Sequence, residues 1–152
     1  MTNEELEQLA RTAAAAHGLD PALVCAIVEQ ESGWNSWANR YEPAFFAKYV
    51  APLFTNGKVS ATEAYARSFS YGLMQLMGQV ARELGFANTY LTSLCDPATG
   101  LEWGCQHFAK KLARANGDTR QALLLWNGGG NAQYPDQVLA RVPKYNPDQA
   151  AA

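Results

Sequence analysis

Apolar residues recur at steps of three and four along most of this chain. Gly, Pro, Asn and Asp punctuate them, so the pattern predicts a succession of short helices. Thr2 and Glu5 form a capping box for a first helix that stops at His17-Gly18. Asp20 as N-cap and Pro21 at the first helical position open a second, whose stripe of Leu23, Val24, Ile27 and Val28 ends in Glu31. An aromatic connection from Trp34 to about Thr55 holds a helical piece over Pro43 to Tyr49. Asn56-Gly57 marks a turn, and Ser60 with Glu63 makes another capping box. Further helices are predicted from Gly72 to Leu84, closed by Gly85, and from Asp96-Pro97 to about Asn116-Gly117 along a stripe of Leu101, Cys105, Phe108 and Leu112. Asp118 caps another that fades at Asn127-Gly128, and Pro135 to Val142 forms the last. No convincing alternating segment is present; Lys58-Val59 is the candidate for a small hairpin. The predicted fold class is mainly α, one domain over residues 1–152, with 143–152 as a loose tail.

A length of 152 residues suffices for a real core. The net charge of −2 gives no basic footprint, so no nucleic-acid partner is expected. No apolar run approaches the roughly 18 residues that cross a bilayer, so no stable membrane insertion is expected either. Met1-Thr2-Asn3-Glu4-Glu5 is acidic and polar, unlike a secretory leader. Cys25, Cys95 and Cys105 leave an odd thiol without metal-type spacing. Cys25 and Cys105 fall on helical stripes as small core residues, and a Cys95–Cys105 bridge is not expected.

Glu31 is the oddity of this pattern. A carboxyl group at the end of a buried stripe is kept protonated by desolvation, and a protonated acid near neutral pH is what general-acid chemistry needs. Taken singly it has a bland reading, a helix-end carboxylate held by nearby N–H groups. Ser68 to Met77 places small residues at an expected helix entrance, and Leu125 to Gly129 ends another with an amide and glycines. His17 reads as a helix-end residue and His107 as a surface one. Trp34, Trp37, Tyr41, Phe45, Phe46 and Tyr49 are mostly packing, with one or two available to stack on a sugar.

Together, Glu31-Ser32-Gly33, Gly72-Leu73-Met74-Gln75, Trp126-Asn127 and Tyr134 resemble the soluble-type lytic transglycosylases, enzymes with a goose-type-lysozyme-like helical fold. The resemblance runs from about Leu23 to Val142. It implies Glu31 as the single catalytic acid/base, with Ser32 beside it. It implies a glycan groove lined by Gly72, Leu73, Met74 and Gln75, preceded by Ser70 in preference to Ser68, and substrate contact by Asn127. Tyr134 matches a family tyrosine whose hydroxyl bonds the catalytic carboxyl. Trp126 departs from the usual Tyr, keeping an aromatic face but losing the phenol.

The implied substrate is peptidoglycan, cut between N-acetylmuramic acid and N-acetylglucosamine to leave a 1,6-anhydro sugar, with no metal or organic cofactor. A hydrolase would need a second carboxylate about 6.5–9.5 Å from the first. Glu42 is the candidate, although its favoured reading is a helix N-terminal charge paired with Arg40. A glycan-binding module without turnover is the reading from another class. The expected species is a monomer acting on the bacterial wall. Without a leader it reaches the wall either as a phage-encoded enzyme or as a domain of a longer exported protein.

Overall fold

The computed structural model describes residues 1–146. The first helix, α1 (Asn3–Ala16), starts on the expected capping box, with Thr2 accepting from the Glu5 N–H and Glu5 accepting from the Thr2 N–H. The second, α2 (Pro21–Ser32), is capped by Asp20 and stopped by Gly33 in the left-handed region at φ 56°. Residues 22–28 of α2 are all buried, so this helix is the spine of the larger core. Around it pack α1, α7 (Pro97–Arg114), α8 (Thr119–Asn127) and α9 (Tyr134–Leu139), with Ile27, Leu101, Phe108 and Leu123 fully enclosed.

A second, smaller lobe is built between α2 and α7. It holds β1 (Asn39–Tyr41), α3 (Pro43–Phe45) continuing as a π-helical turn (Phe46–Val50) into α4 (Ala51–Thr55), then α5 (Ala61–Arg67). The hairpin β2 (Phe69–Tyr71) and β3 (Leu76–Met77) follows, then α6 (Gly78–Glu83) and a 3₁₀ turn over Leu91–Cys95. The strands form one antiparallel sheet in the order β1-β2-β3, pairing Arg40 with Ser70 and Ser70 with Met77. Tyr71, Leu76, Ala81, Phe86, Leu91 and Leu94 make its own apolar cluster.

Three expectations need correction. Residues 72–77 are not the first turns of a helix: Gly72 (φ 70°) and Gln75 (φ 50°) are left-handed, and helix begins only at Gly78. Leu73 and Met74 between them are pulled into the larger core, each 1% exposed, and that burial overrides their helix propensity. Lys58-Val59 joins no strand; the sheet uses strands of two and three residues, too short to show a period. The segment after Pro143 is packed as far as Tyr145, which is 4% exposed in a 3₁₀ turn over Val142–Tyr145. Trp34 Nε1 donates to its hydroxyl at 3.0 Å and Arg11 Nη2 to its carbonyl at 2.7 Å. The rest of the expected tail, 147–152, lies outside the described residues. All three cysteines are free and buried.

Candidate active site

An open groove of about 820 Å³ runs between the lobes. The larger lobe contributes Glu31 from the end of α2, His107 and Lys111 from α7, and Trp126 and Asn127 from the end of α8. The smaller lobe contributes Arg40, Glu42, Phe45, Lys48 and Tyr49, with Ser70 and Gln75 from the hairpin. Of the residues singled out from sequence, Glu31, Ser70, Gln75, Trp126, Asn127 and Glu42 therefore share one wall system.

The others support that wall from behind. Leu73 and Met74 are core residues. Gly72 is in tight contact: its N–H donates to the Ala38 carbonyl at 2.8 Å, and an added Cβ would lie 2.3 Å from the Leu94 carbonyl oxygen. Ser32 Oγ lies 2.9 Å from the Leu73 carbonyl and 3.1 Å from that of Val28, tying the end of α2 to the loop. Gln75 is largely committed to the fold. Its Nε2 donates to Ala38 O (3.0 Å) and Gly72 O (2.9 Å), and its Oε1 accepts from Ser70 Oγ at 2.8 Å. The amide therefore holds the tight hairpin closed while facing the groove. Asn127 Oδ1 accepts from the Asn131 N–H at 2.9 Å, fixing the turn after α8, whose cap is Gly128 at φ 75°.

Glu31 is bound from behind by two side chains. Tyr134 Oη donates to its Oε1 at 2.5 Å, and Trp126 Nε1 donates to the same oxygen at 3.0 Å. The indole thus supplies a hydrogen bond to the carboxyl that the sequence comparison with a phenol gave no reason to expect. With Oε1 doubly engaged, the proton of the acid form belongs on Oε2, which has no partner among the described residues. Burial raises the Glu31 pKa above the ordinary carboxylate value; the bonds from Tyr134 and Trp126 and the charge of Arg40 oppose that without cancelling it. Tyr134 is itself pushed up by burial and by the Glu31 charge, so it stays a donor.

Glu42 is paired with Arg40, accepting from its Nε at 2.6 Å, and lines the groove. His107 needs correcting, because it is half-buried in the groove wall against Trp126, with ring centroids 5.4 Å apart. Burial, then Lys111 and Lys110, push its pKa down to about 4, so it is a neutral imidazole at neutral pH. Phe45 and Tyr49 are the aromatics of the connection that reach the groove; Tyr41 and Phe46 pack with Tyr65, and Trp37 is exposed outside it. No three His, Cys, Asp or Glu side chains converge as a metal set among the described residues.

Residues 8–140 match the family pattern of the transglycosylase SLT domain. The chain belongs to that family. It is 31% identical over 138 residues to a protein named transglycosylase from Enterobacteria phage PRD1, a match covering 86% of this chain and 40% of that protein. The chain thus spans about two fifths of the curated relative's length. No solved structure matches it. Its architecture is the mainly α, lysozyme-like one that the motifs implied. Among the described residues, no helix is long and apolar enough to cross a membrane.

Proposed function

We propose that this domain cleaves the β-1,4 bond between N-acetylmuramic acid and N-acetylglucosamine in peptidoglycan, with Glu31 as its single acid and base. The observation that carries this reading is the setting of Glu31: a partly buried carboxyl in the groove wall, anchored through Oε1 and free at Oε2 among the described residues. A proton on Oε2 passes to the glycosidic oxygen as the C1–O bond breaks and positive charge develops at C1. The resulting carboxylate then takes the proton of the muramic C6 hydroxyl as that oxygen closes onto C1. The 1,6-anhydro product leaves with no water consumed, and Glu31 is returned to its acid form. A carboxyl whose pKa is raised by burial and restrained by two donors suits both halves of this cycle.

Hydrolysis with Glu42 as second carboxylate is the competing reading, and the Arg40–Glu42 pair weighs against it, because the guanidinium occupies the carboxylate that would have to hold the attacking water. Mass spectrometry of purified walls digested by the protein tests the choice. Anhydromuropeptides, one water lighter than hydrolysis products, are expected, and they persist with Glu42→Gln but vanish with Glu31→Gln. Water-added products alone, or lysis unaffected by Glu31→Gln, would reject the reading. The domain works on the bacterial wall as a monomer in this reading, carried there by phage-type release or by a longer exported chain.

A further inference from the structure

Two of the groove's cations form no ion pair among the described residues. Arg40 is neutralised by Glu42, but neither Lys48 nor Lys111 forms an ion pair among the described residues. Lys111 is half-buried on α7, where burial and Arg114 lower its pKa, so its ammonium is partly desolvated and lacks a counter-charge. One turn earlier stands His107, whose buried Nδ1 has no hydrogen-bond partner. Lys48 is exposed on the π-helical turn of the other lobe, with Phe45 and Tyr49 beside it, their rings 4.8 Å apart. The remaining groove acid, Glu83, lies on α6 and accepts from Gln79 Nε2 at 2.8 Å. Neither the π-helical turn nor α7 presents an acid to the groove.

Sugar hydroxyls and acetamides are neutral and do not call for unpaired ammonium groups. The peptide substituents of peptidoglycan carry free carboxylates. We propose that Lys48 and Lys111, from opposite lobes, form a carboxylate-reading subsite that makes the groove select glycan strands bearing anionic stem peptides. The Phe45 and Tyr49 rings offer an apolar face to the sugar that bears the peptide. This specificity rests on the peptidoglycan reading above.

Three substrates separate the possibilities: intact strands, strands whose stem carboxylates have been converted to carboxamides, and strands stripped of peptide so that only the lactyl carboxylate remains. An exposed ion pair at about 0.7 kcal/mol is worth roughly threefold, so two together give a preference of roughly tenfold in kcat/KM for intact over carboxamide strands. That preference shrinks at high salt. In the K48Q/K111Q double variant the ratio falls toward one, while K48R/K111R retains it. Equal rates of the wild-type protein on intact and carboxamide strands would overturn the proposal, as would an unchanged ratio in K48Q/K111Q. Stripped strands cleaved as fast as intact ones would move the anion to the lactyl group and overturn the assignment to peptide. If no strand is cleaved, the proposed reaction fails, and titration with soluble intact and carboxamide fragments then decides the subsite alone: salt-sensitive preference for the intact fragment upholds it, and equal binding or none rejects it.

Discussion

Trp126→Phe isolates one of the two donors on Glu31. The indole is braced by Phe108, with ring centroids 5.7 Å apart at 76°, and by His107 on the groove side. Phenylalanine keeps most of that apolar contact and deletes only the group that donates to Oε1 at 3.0 Å. A hydrogen bond to a charged partner contributes about 1.5–3 kcal/mol, and the open groove lets water recover part of it, so the lower end applies. Because the bond favours the carboxylate, its loss pushes the Glu31 pKa further up. In the proposed reaction Glu31 must be protonated to give its proton to the leaving oxygen, so the variant would stay competent to higher pH. The alkaline limb of the kcat/KM profile on purified walls should move up by about one pH unit. Trp126→Tyr, which returns a hydroxyl donor to the position, should move it less. A lower rate with an unmoved alkaline limb would mean that Trp126 only packs. A downward shift would refute the sign of the argument and with it the role of the indole on Glu31.

Tyr134→Phe removes the other donor to Oε1 and should lower kcat by about ten- to a hundredfold with little change in KM; a change confined to KM would place the tyrosine in ground-state binding instead. Glu31→Gln should raise thermal stability at neutral pH, where the wild-type protein buries a carboxylate. The folded pKa is raised above the unfolded one, so wild-type stability falls as pH rises between the two, and the advantage of Gln should disappear in acid below the ordinary Glu pKa. Melting curves at acid and neutral pH check this, and an advantage that persists in acid would contradict it. Gly72→Ala and Gly128→Ala both put a side chain at positive φ, but only the first meets a backbone oxygen, at 2.3 Å. Urea unfolding should show a cost of about 1 kcal/mol at Gly128 and about 3 kcal/mol or more at Gly72; equal costs would show that the loop yields.

The helices of the larger lobe were legible because caps and stripes agree with their burial. Thr2-Glu5, Asp20-Pro21, Asp96-Pro97 and Asp118 all cap as read. The hairpin was not, since Gly72-Leu73-Met74-Gln75 has the composition of a helix start and its shape is set by contacts distant in sequence. Ala38, Leu94 and Ser32 each grip it. The same holds for the site. Glu31 was visible from its place on the stripe, and Tyr134 from a motif, but the indole bond crosses 95 positions and depends on where the end of α8 is held by α7 and α9. Ser60 is a partial case: it caps α5 as read, yet Glu63 turns away to pair with Arg67 and Arg82.

Helix α2 carries two carboxyls whose pKa values move in opposite directions. Glu29, two residues earlier, is also partly buried and also accepts a hydrogen bond from a tyrosine, Tyr145, whose hydroxyl is in turn bonded by the Trp34 indole. Burial pushes the Glu29 pKa up, but the bonds from Tyr145 and Lys144 and the charges of Lys144 and Arg141 outweigh it, and its carboxyl ends below the ordinary value. Glu31 has a tyrosine and a tryptophan of its own yet ends above it. Aromatic donors are therefore not what separates the two. The difference is a bonded ammonium at Glu29, against deeper burial at Glu31, where Arg40 acts only at a distance and is engaged by Glu42. The Arg40–Glu42 pair thus has a consequence for Glu31 whether or not Glu42 touches substrate. Releasing Arg40 by Glu42→Gln would leave its full charge to favour the Glu31 carboxylate, so the alkaline limb of the activity profile should move down, opposite to the effect of Trp126→Phe.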